Sequence, residues 1–439
     1  MDLRKTFSVA LAALLLAAPV AAQEAGDEAG AAPGESGDEP LPLPPLRIDL
    51  QNLFTRAQAC IEEDNDLECA KDAVERAGRL RNLNNHERAQ LLNFTAFVAF
   101  EEEDTPTAIT SFEEIKTLPI EEMPRGLVSA AWRNLASLYV EQEDYARGLE
   151  GYIDWMELPF IEPTAQDWFF LSQMHYMVED FQSGLEAVNT AISMEQAAGG
   201  LGEENWWSMR YYFQYQMEQI DDAVDTLIVL VENWTKPNWV LSLAGQLADQ
   251  ERDHEVVSLY SAAYERGWLE RSTEKVQLAQ LYMNADMGHN AARVLEAGLD
   301  DGTIESTQQN WRLLAQAWQM SRDDISALPA LQRASEEADD GEVDRMLATS
   351  YARLGRWQEC ADSAQLSLDR GDLDRPDYVY MQLGRCLINL REYTAAREAF
   401  VEAARDDRQG DAADQFLNFI RVEQERIRRN EETLRSLGR

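Results

Sequence analysis

A pattern of side-chain sizes returns along this chain every 33 to 40 residues, and it limits the fold more than any other feature. Near the C-terminus it runs Tyr380-x-x-Leu383-Gly384-x-x-Leu387, then Glu392-Tyr393-x-x-Ala396-x-x-x-Phe400-x-x-Ala403. The same frame holds at Trp132, Leu135, Ala136, Tyr139, Asp144, Tyr145, Gly148 and Tyr152. It holds again at Leu347, Ala348, Tyr351, Leu354, Gly355, Trp357 and Cys360. Spacings of three and four residues place these side chains on one helix face, and no run alternates as a strand would. Two such helices with a turn between them form a hairpin whose apolar face is covered only by the hairpins beside it. The expectation is an all-helical stack.

An aromatic, a Leu-Gly pair, a turn and a small-large-small series resemble the tetratricopeptide consensus. That implies an all-α, tetratricopeptide-like superhelical solenoid of about ten hairpins over residues 47–409. The small residues that align are Cys69, Ala108, Gly148, Gly184, Ala223, Val256, Ala291, Ala327, Cys360 and Ala396. Large residues four positions on, such as Phe112, Tyr152, Leu227, Leu295 and Phe400, are read as packing between hairpins. Residues 410–439 read as a C-terminal capping helix, because the last repeat must hide its open face. Its Arg-rich far half is either a solvated face or a contact for an acidic partner.

The N-terminus reads as an export signal. Arg4 and Lys5 precede an apolar run from Phe7 to Ala18 that is too short to span a bilayer. Val20-Ala21-Ala22 offers small residues for cleavage before Gln23, with an uncleaved anchor as the alternative. Residues 1–22 are thus expected to be a signal peptide and the mature chain periplasmic, without a membrane anchor. Residues 23–46 are rich in Ala, Gly, Glu, Asp and Pro and read as a disordered linker. The four cysteines form two candidate pairs, Cys60 with Cys69 and Cys360 with Cys386. They are either disulfides, which suit an oxidising compartment, or small buried thiols.

Eighty acidic residues against 39 basic ones give a net charge of −41. Nucleic acid and anionic lipid are therefore poor partners. The four histidines, His86, His175, His254 and His289, are scattered, and neither His86-Glu87 nor His254-Glu255 has the second His of a zinc-protease helix. No Gly-rich phosphate loop or nucleophile elbow is present. The chain is expected to be no enzyme and to use neither cofactor nor metal. The remaining candidate is a protein-binding groove on the first helices of hairpins four to six. Its positions are Gln166, Phe169, Gln173 and Tyr176, then Asn205, Ser208, Tyr212 and Tyr215, then Asn238. Amides bond an extended backbone and aromatics give rigid contact area. The alternative is an aromatic-rich interior.

Three further segments carry a second likeness. They are Pro237-Asn238-Trp239-Val240-Leu241-Ser242-Leu243-Ala244 with Leu259-Tyr260-x-x-Ala263-Tyr264-x-x-Gly267-Trp268-Leu269, then Leu278-Ala279-x-Leu281-Tyr282, and Ala412-x-x-Gln415-Phe416-Leu417-x-Phe419-Ile420. With these the chain, over roughly residues 130–420, resembles the periplasmic tetratricopeptide proteins that accompany TonB–ExbB–ExbD systems. The resemblance implies a scaffold accessory to TonB-dependent outer-membrane transport, with TonB, ExbB or ExbD as partners and no catalytic residues. A tetratricopeptide factor in envelope biogenesis or polysaccharide export is the competing reading.

Overall fold

The structure, a computed structural model, describes residues 43–62 and 66–436, and the expected signal peptide and most of the expected linker lie outside them. Among the described residues are 21 α-helices and no strand. The chain divides into two compact units, ending and beginning at Trp234 and Thr235, where the sequence read as one array.

The first unit holds five hairpins: α1 (Ile48–Glu62) with α2 (Leu67–Gly78), α3 (Asn85–Glu101) with α4 (Thr105–Lys116), α5 (Arg125–Glu141) with α6 (Tyr145–Met156), α7 (Ala165–Met177) with α8 (Phe181–Ala197), and α9 (Glu204–Gln216) with α10 (Ile220–Asn233). The second holds α11 (Pro237–Asp249) with α12 (Asp253–Glu265), α13 (Ser272–Asn284) with α14 (Gly288–Asp300), α15 (Gln308–Met320) with α16 (Asp324–Glu336), α17 (Glu342–Arg353) with α18 (Trp357–Arg370), and α19 (Pro376–Asn389) with α20 (Tyr393–Ala403). A long last helix, α21 (Gly410–Ser436), packs on α20. Within each unit a helix packs mainly on its sequence neighbours, which is the local geometry of a solenoid.

One turn closes nine of the ten hairpins. The residue two places before each second helix is left-handed, with φ between 57° and 70°: Glu103, Glu143, Glu179, Glu218, Glu251, Asp286, Arg322, Gly355 and Arg391. The next N–H reaches back to a carbonyl five residues earlier, as from Asp104 to Ala99 and from Asp144 to Tyr139, both 2.8 Å. This is a Schellman closure, and its last residue also starts the next helix. Glycine suits the left-handed position best, because a Cβ there costs about 1–2 kcal/mol. Only Gly355 among the nine is glycine.

Aspartate at that shared position caps the second helix. Asp104, Asp144, Asp180 and Asp323 accept from the backbone N–H groups of Thr107, Arg147, Ser183 and Ser326 at 3.0–3.3 Å. Hydrogen bonds from Thr107 hold the Asp104 carboxyl below its ordinary range, and those from Arg147 do the same for Asp144. At Asp180, burial pushes upward, but hydrogen bonds from Ser183 and the nearby His175 outweigh it. A carboxyl whose folded pKa is depressed stabilises the fold fully above its unfolded value, near 3.9. That stability is lost as pH falls through the folded value. The first unit is therefore expected to weaken as pH falls below about 4. An Asp104→Asn, Asp144→Asn, Asp180→Asn variant keeps the caps without the titration. Urea midpoints followed by circular dichroism should fall less steeply with acid in that variant; equal slopes would refute the assignment.

The size pattern maps onto the core. Phe112, Tyr152, Val188, Leu227, Leu295, Leu331 and Phe400 are buried, as are Ala108, Ala223, Ala291, Ala327, Cys360 and Ala396. The first hairpin corrects the alignment by one residue. Counting four from the cap Asp66, as in the other hairpins, reaches the fully buried Ala70, whereas Cys69 is half-buried. Cys69 is bonded to Cys60, so α1 and α2 are joined covalently, and Cys360 is bonded to Cys386, joining α18 to α19. The end of the Pro-rich stretch is seated instead of loose. Leu46 packs on the first hairpin, the Pro44 carbonyl lies 3.2 Å from His86 Nδ1, and Arg47 N–H donates to Glu87 at 3.1 Å.

Candidate protein-binding surface

Two first helices of the first unit, α7 and α9, carry the aromatic and amide residues that the sequence singles out. Their burial differs. On α9 one face holds Trp206, Met209 and Phe213, all buried, while the opposite face holds Ser208, Tyr211, Tyr212 and Tyr215. Positions three, four and seven apart share a helix face, so these four line up. Tyr215 is the most open, 47% exposed, and its ring lies 6.0 Å from that of Tyr211. Asn205 and Gln216 extend the exposed face to the two ends of the helix.

α7 is enclosed nearly all round, with Phe169, Leu171, Ser172, Met174 and His175 buried. The cause is α9, whose aromatic side chains lie against it. Phe169 stacks on Trp206 with ring centres 5.5 Å apart, and Tyr176 meets Tyr212 edge-on at 5.2 Å. Phe181, at the start of α8, closes on Tyr212 from its other side at 6.0 Å. Phe169, only 2% exposed, is therefore core, and its place in the expected groove is withdrawn. Gln166 is exposed, and Gln173 and Tyr176 are half-buried, so α7 contributes a strip of amides beside the α9 tyrosines. Asn238 is exposed on the first turn of α11 in the second unit, and the surface described here is built without it.

The exposed charges flanking the tyrosines are acidic. Glu179, between α7 and α8, and Glu203 and Glu218, flanking α9, are exposed. Burial raises the Tyr212 hydroxyl above its ordinary range, and the neighbouring Tyr176 and the charge of Glu179 raise it further. Burial and Tyr215 do the same for Tyr211. These phenols stay protonated at neutral pH and can donate hydrogen bonds. The surface offers flat aromatic area, hydroxyl and amide groups and a negative rim. It has no nucleophile–base pair.

Sequence reasoning missed Tyr211, Phe181 and Arg210. Tyr211 is half-buried, but it sits within the open face, one residue from a position that was named. The Arg210 guanidinium lies 5.3 Å from the Trp207 ring centre, burial lowers its pKa, and Asp222 and Asp225 on α10 counter that. Arg210 therefore lies toward the buried side of α9, away from the tyrosine face. The signal was its place, one turn after Trp206-Trp207 in an otherwise aromatic helix. His175, the one histidine near this surface, is buried, with Nδ1 3.2 Å from Asp180. Burial lowers its pKa against the pull of Asp180.

No family model and no curated protein matches the chain. Among solved structures, a tetratricopeptide repeat protein from Parabacteroides merdae is 12% identical, covering 60% of this chain and 99% of that one at a TM-score of 0.32. The TPR2AB domain of yeast Sti1, solved in complex with pHSP90, is 14% identical over 58% of this chain and 98% of that one, at 0.27. YrrB, described as a TPR protein with an unusual peptide-binding site, is 17% identical over 46% and 91%, at 0.30.

Proposed function

We propose that this chain is a non-catalytic scaffold that binds an extended, positively charged protein segment on the tyrosine face of α9 and the amide strip of α7. The observation that carries the reading is the row of Ser208, Tyr211, Tyr212 and Tyr215 on one face of α9, half-buried except for the exposed Tyr215, with acidic residues flanking it. Tyrosines give large contact area at low entropy cost, and the amides suit an extended backbone. The net charge of −41 steers a basic partner toward the surface. The export-type N-terminus favours a periplasmic setting. With the resemblance to TonB-associated periplasmic proteins, it favours a Pro- and Lys-rich stretch of a TonB-type protein as the segment, in an accessory role in TonB-dependent transport.

The test is titration of the mature chain with that stretch as a synthetic peptide, beside pull-downs against TonB, ExbB and ExbD. Binding is expected to weaken as salt rises, since exposed charges are screened beyond about 8–10 Å. Tyr215→Ala is the cleaner variant, because Tyr212 also packs on Tyr176 and Phe181. It should weaken binding by about tenfold or more with unfolding unchanged. No association with any of the three proteins at low salt, with the fold intact, would overturn the reading.

A further inference from the structure

α21 is far longer than the helix it covers. At 27 residues it spans about 40 Å, whereas α20, with 11 residues, spans about 16 Å. Only its first half is packed. Ala413 and Ile420 are buried, and Phe416 stacks on Phe400 with ring centres 4.8 Å apart. It lies on α20 as first helices within each unit lie on the second helix before them, and no second helix follows it among the described residues. Beyond Arg421 the same stripe continues at seven-residue steps: Ala413, Ile420, Ile427, Leu434. Leu434 is 51% exposed, and Ile427 and Phe419 are exposed too. A seven-residue step keeps these side chains on one line of the helix, the line along which a second helix can lie. An unsupported helical half of this length is marginal in water.

We propose that the far half of α21 pairs antiparallel with α21 of a second copy of this chain. Charge selects this occupant. The chain carries −41, so two copies repel over most of their surface, and an anionic membrane repels it as well. In α21 the six acids Asp411, Asp414, Glu423, Glu425, Glu431 and Glu432 stand against the five arginines Arg421, Arg426, Arg428, Arg429 and Arg435, leaving −1. Its charges are also paired along its own length: Arg426 with Glu423 at 2.6 Å, Arg429 with Glu425 at 3.3 Å and Arg421 with Glu425 at 3.5 Å. A near-neutral helix end is where two such chains can touch. The antiparallel sense keeps the two acidic arrays at opposite ends of the pair, whereas a parallel pair would set them side by side. It centres on Ile427 facing its own copy, and it brings Leu434 of one chain toward the exposed Phe419 of the other, Ile420 being buried within its own array.

Sedimentation velocity of the mature chain over a wide concentration range, in low and in high salt, tests the pairing. Association is expected to strengthen with salt, because screening removes repulsion between the arrays and leaves the apolar seam. This is the opposite of the salt response of the tyrosine surface, so the two readings fail separately. Ile427→Gln with Leu434→Gln, both good helix formers, should weaken the dimer by roughly a hundredfold or more. The array itself should unfold as before. Under mild oxidation Ile427→Cys should cross-link two chains, and Leu434→Cys should not. Four results would overturn the proposal: a monomer at every concentration in both salts, a dimer indifferent to the double variant, preferential cross-linking through Leu434→Cys, or stripe-dependent binding to anionic lipid vesicles without a dimer.

Discussion

Replacing Phe213 by Ala lowers the stability of the first unit by about 3–5 kcal/mol. The ring is fully buried between α8 and α9. Its tip points at Gly184, where an added Cβ would come within 2.6 Å of the ring. Truncating a fully buried ring leaves a cavity, whose cost adds to the lost transfer energy. Gly184→Ala overpacks the same contact and should cost about 1–3 kcal/mol. Because the two residues touch, their effects are coupled. Gly184→Ala combined with Phe213→Leu should cost less than the two single changes added together. Urea unfolding followed by circular dichroism measures all of these. A Phe213→Ala loss below about 1 kcal/mol would mean that this junction is loosely packed.

Removing the disulfide of the second unit is the other large effect. Cys360 and Cys386 are 26 residues apart, with Cα atoms 6.1 Å from each other, and both are fully buried. By the chain-entropy relation a loop of that length is worth about 3–4 kcal/mol. The nine-residue separation of Cys60 and Cys69 is worth about 2–3 kcal/mol on the same basis. The variant Cys360→Ala, Cys386→Ala leaves no stray thiol and no buried hydroxyl. Calorimetry should show the unfolding of the second unit moved to lower temperature and that of the first unit unmoved. If that transition stays in place, the bond contributes nothing to the native state.

The hairpins were legible because their signal is repeated. Small residues where helices cross and large ones four positions on recur through the chain, and most of them are core. Single positions were less legible. Cys69 was aligned as a small repeat residue, but it is half-buried beside the true marker Ala70. Phe169 occupies a helix position that faces outward when a first helix is open on one side. α7 is not open there, because Trp206 and Tyr212 of the next first helix reach across to it. Periodicity within one helix cannot report how far a neighbour's side chains extend. The left-handed glutamates were invisible for a related reason. Turn chemistry expects glycine or asparagine there, and the closure is held by backbone hydrogen bonds that any residue can make. The tyrosine row was visible as composition, but its open face became clear only once Trp206, Trp207 and Phe213 were placed on the other side.

Packing that links mainly sequence neighbours has a consequence for how the chain acquires its structure. Each hairpin closes a short loop, so the entropy spent in bringing its helices together is small. Proteins rich in local contacts fold fast. Within each unit folding can start at any hairpin and spread to the next, and it needs no distant segment to be in place. A chain emerging from its N-terminus can therefore complete α1 and α2, then α3 and α4, while later helices are still to come. A hairpin finished early waits for nothing except the one beside it.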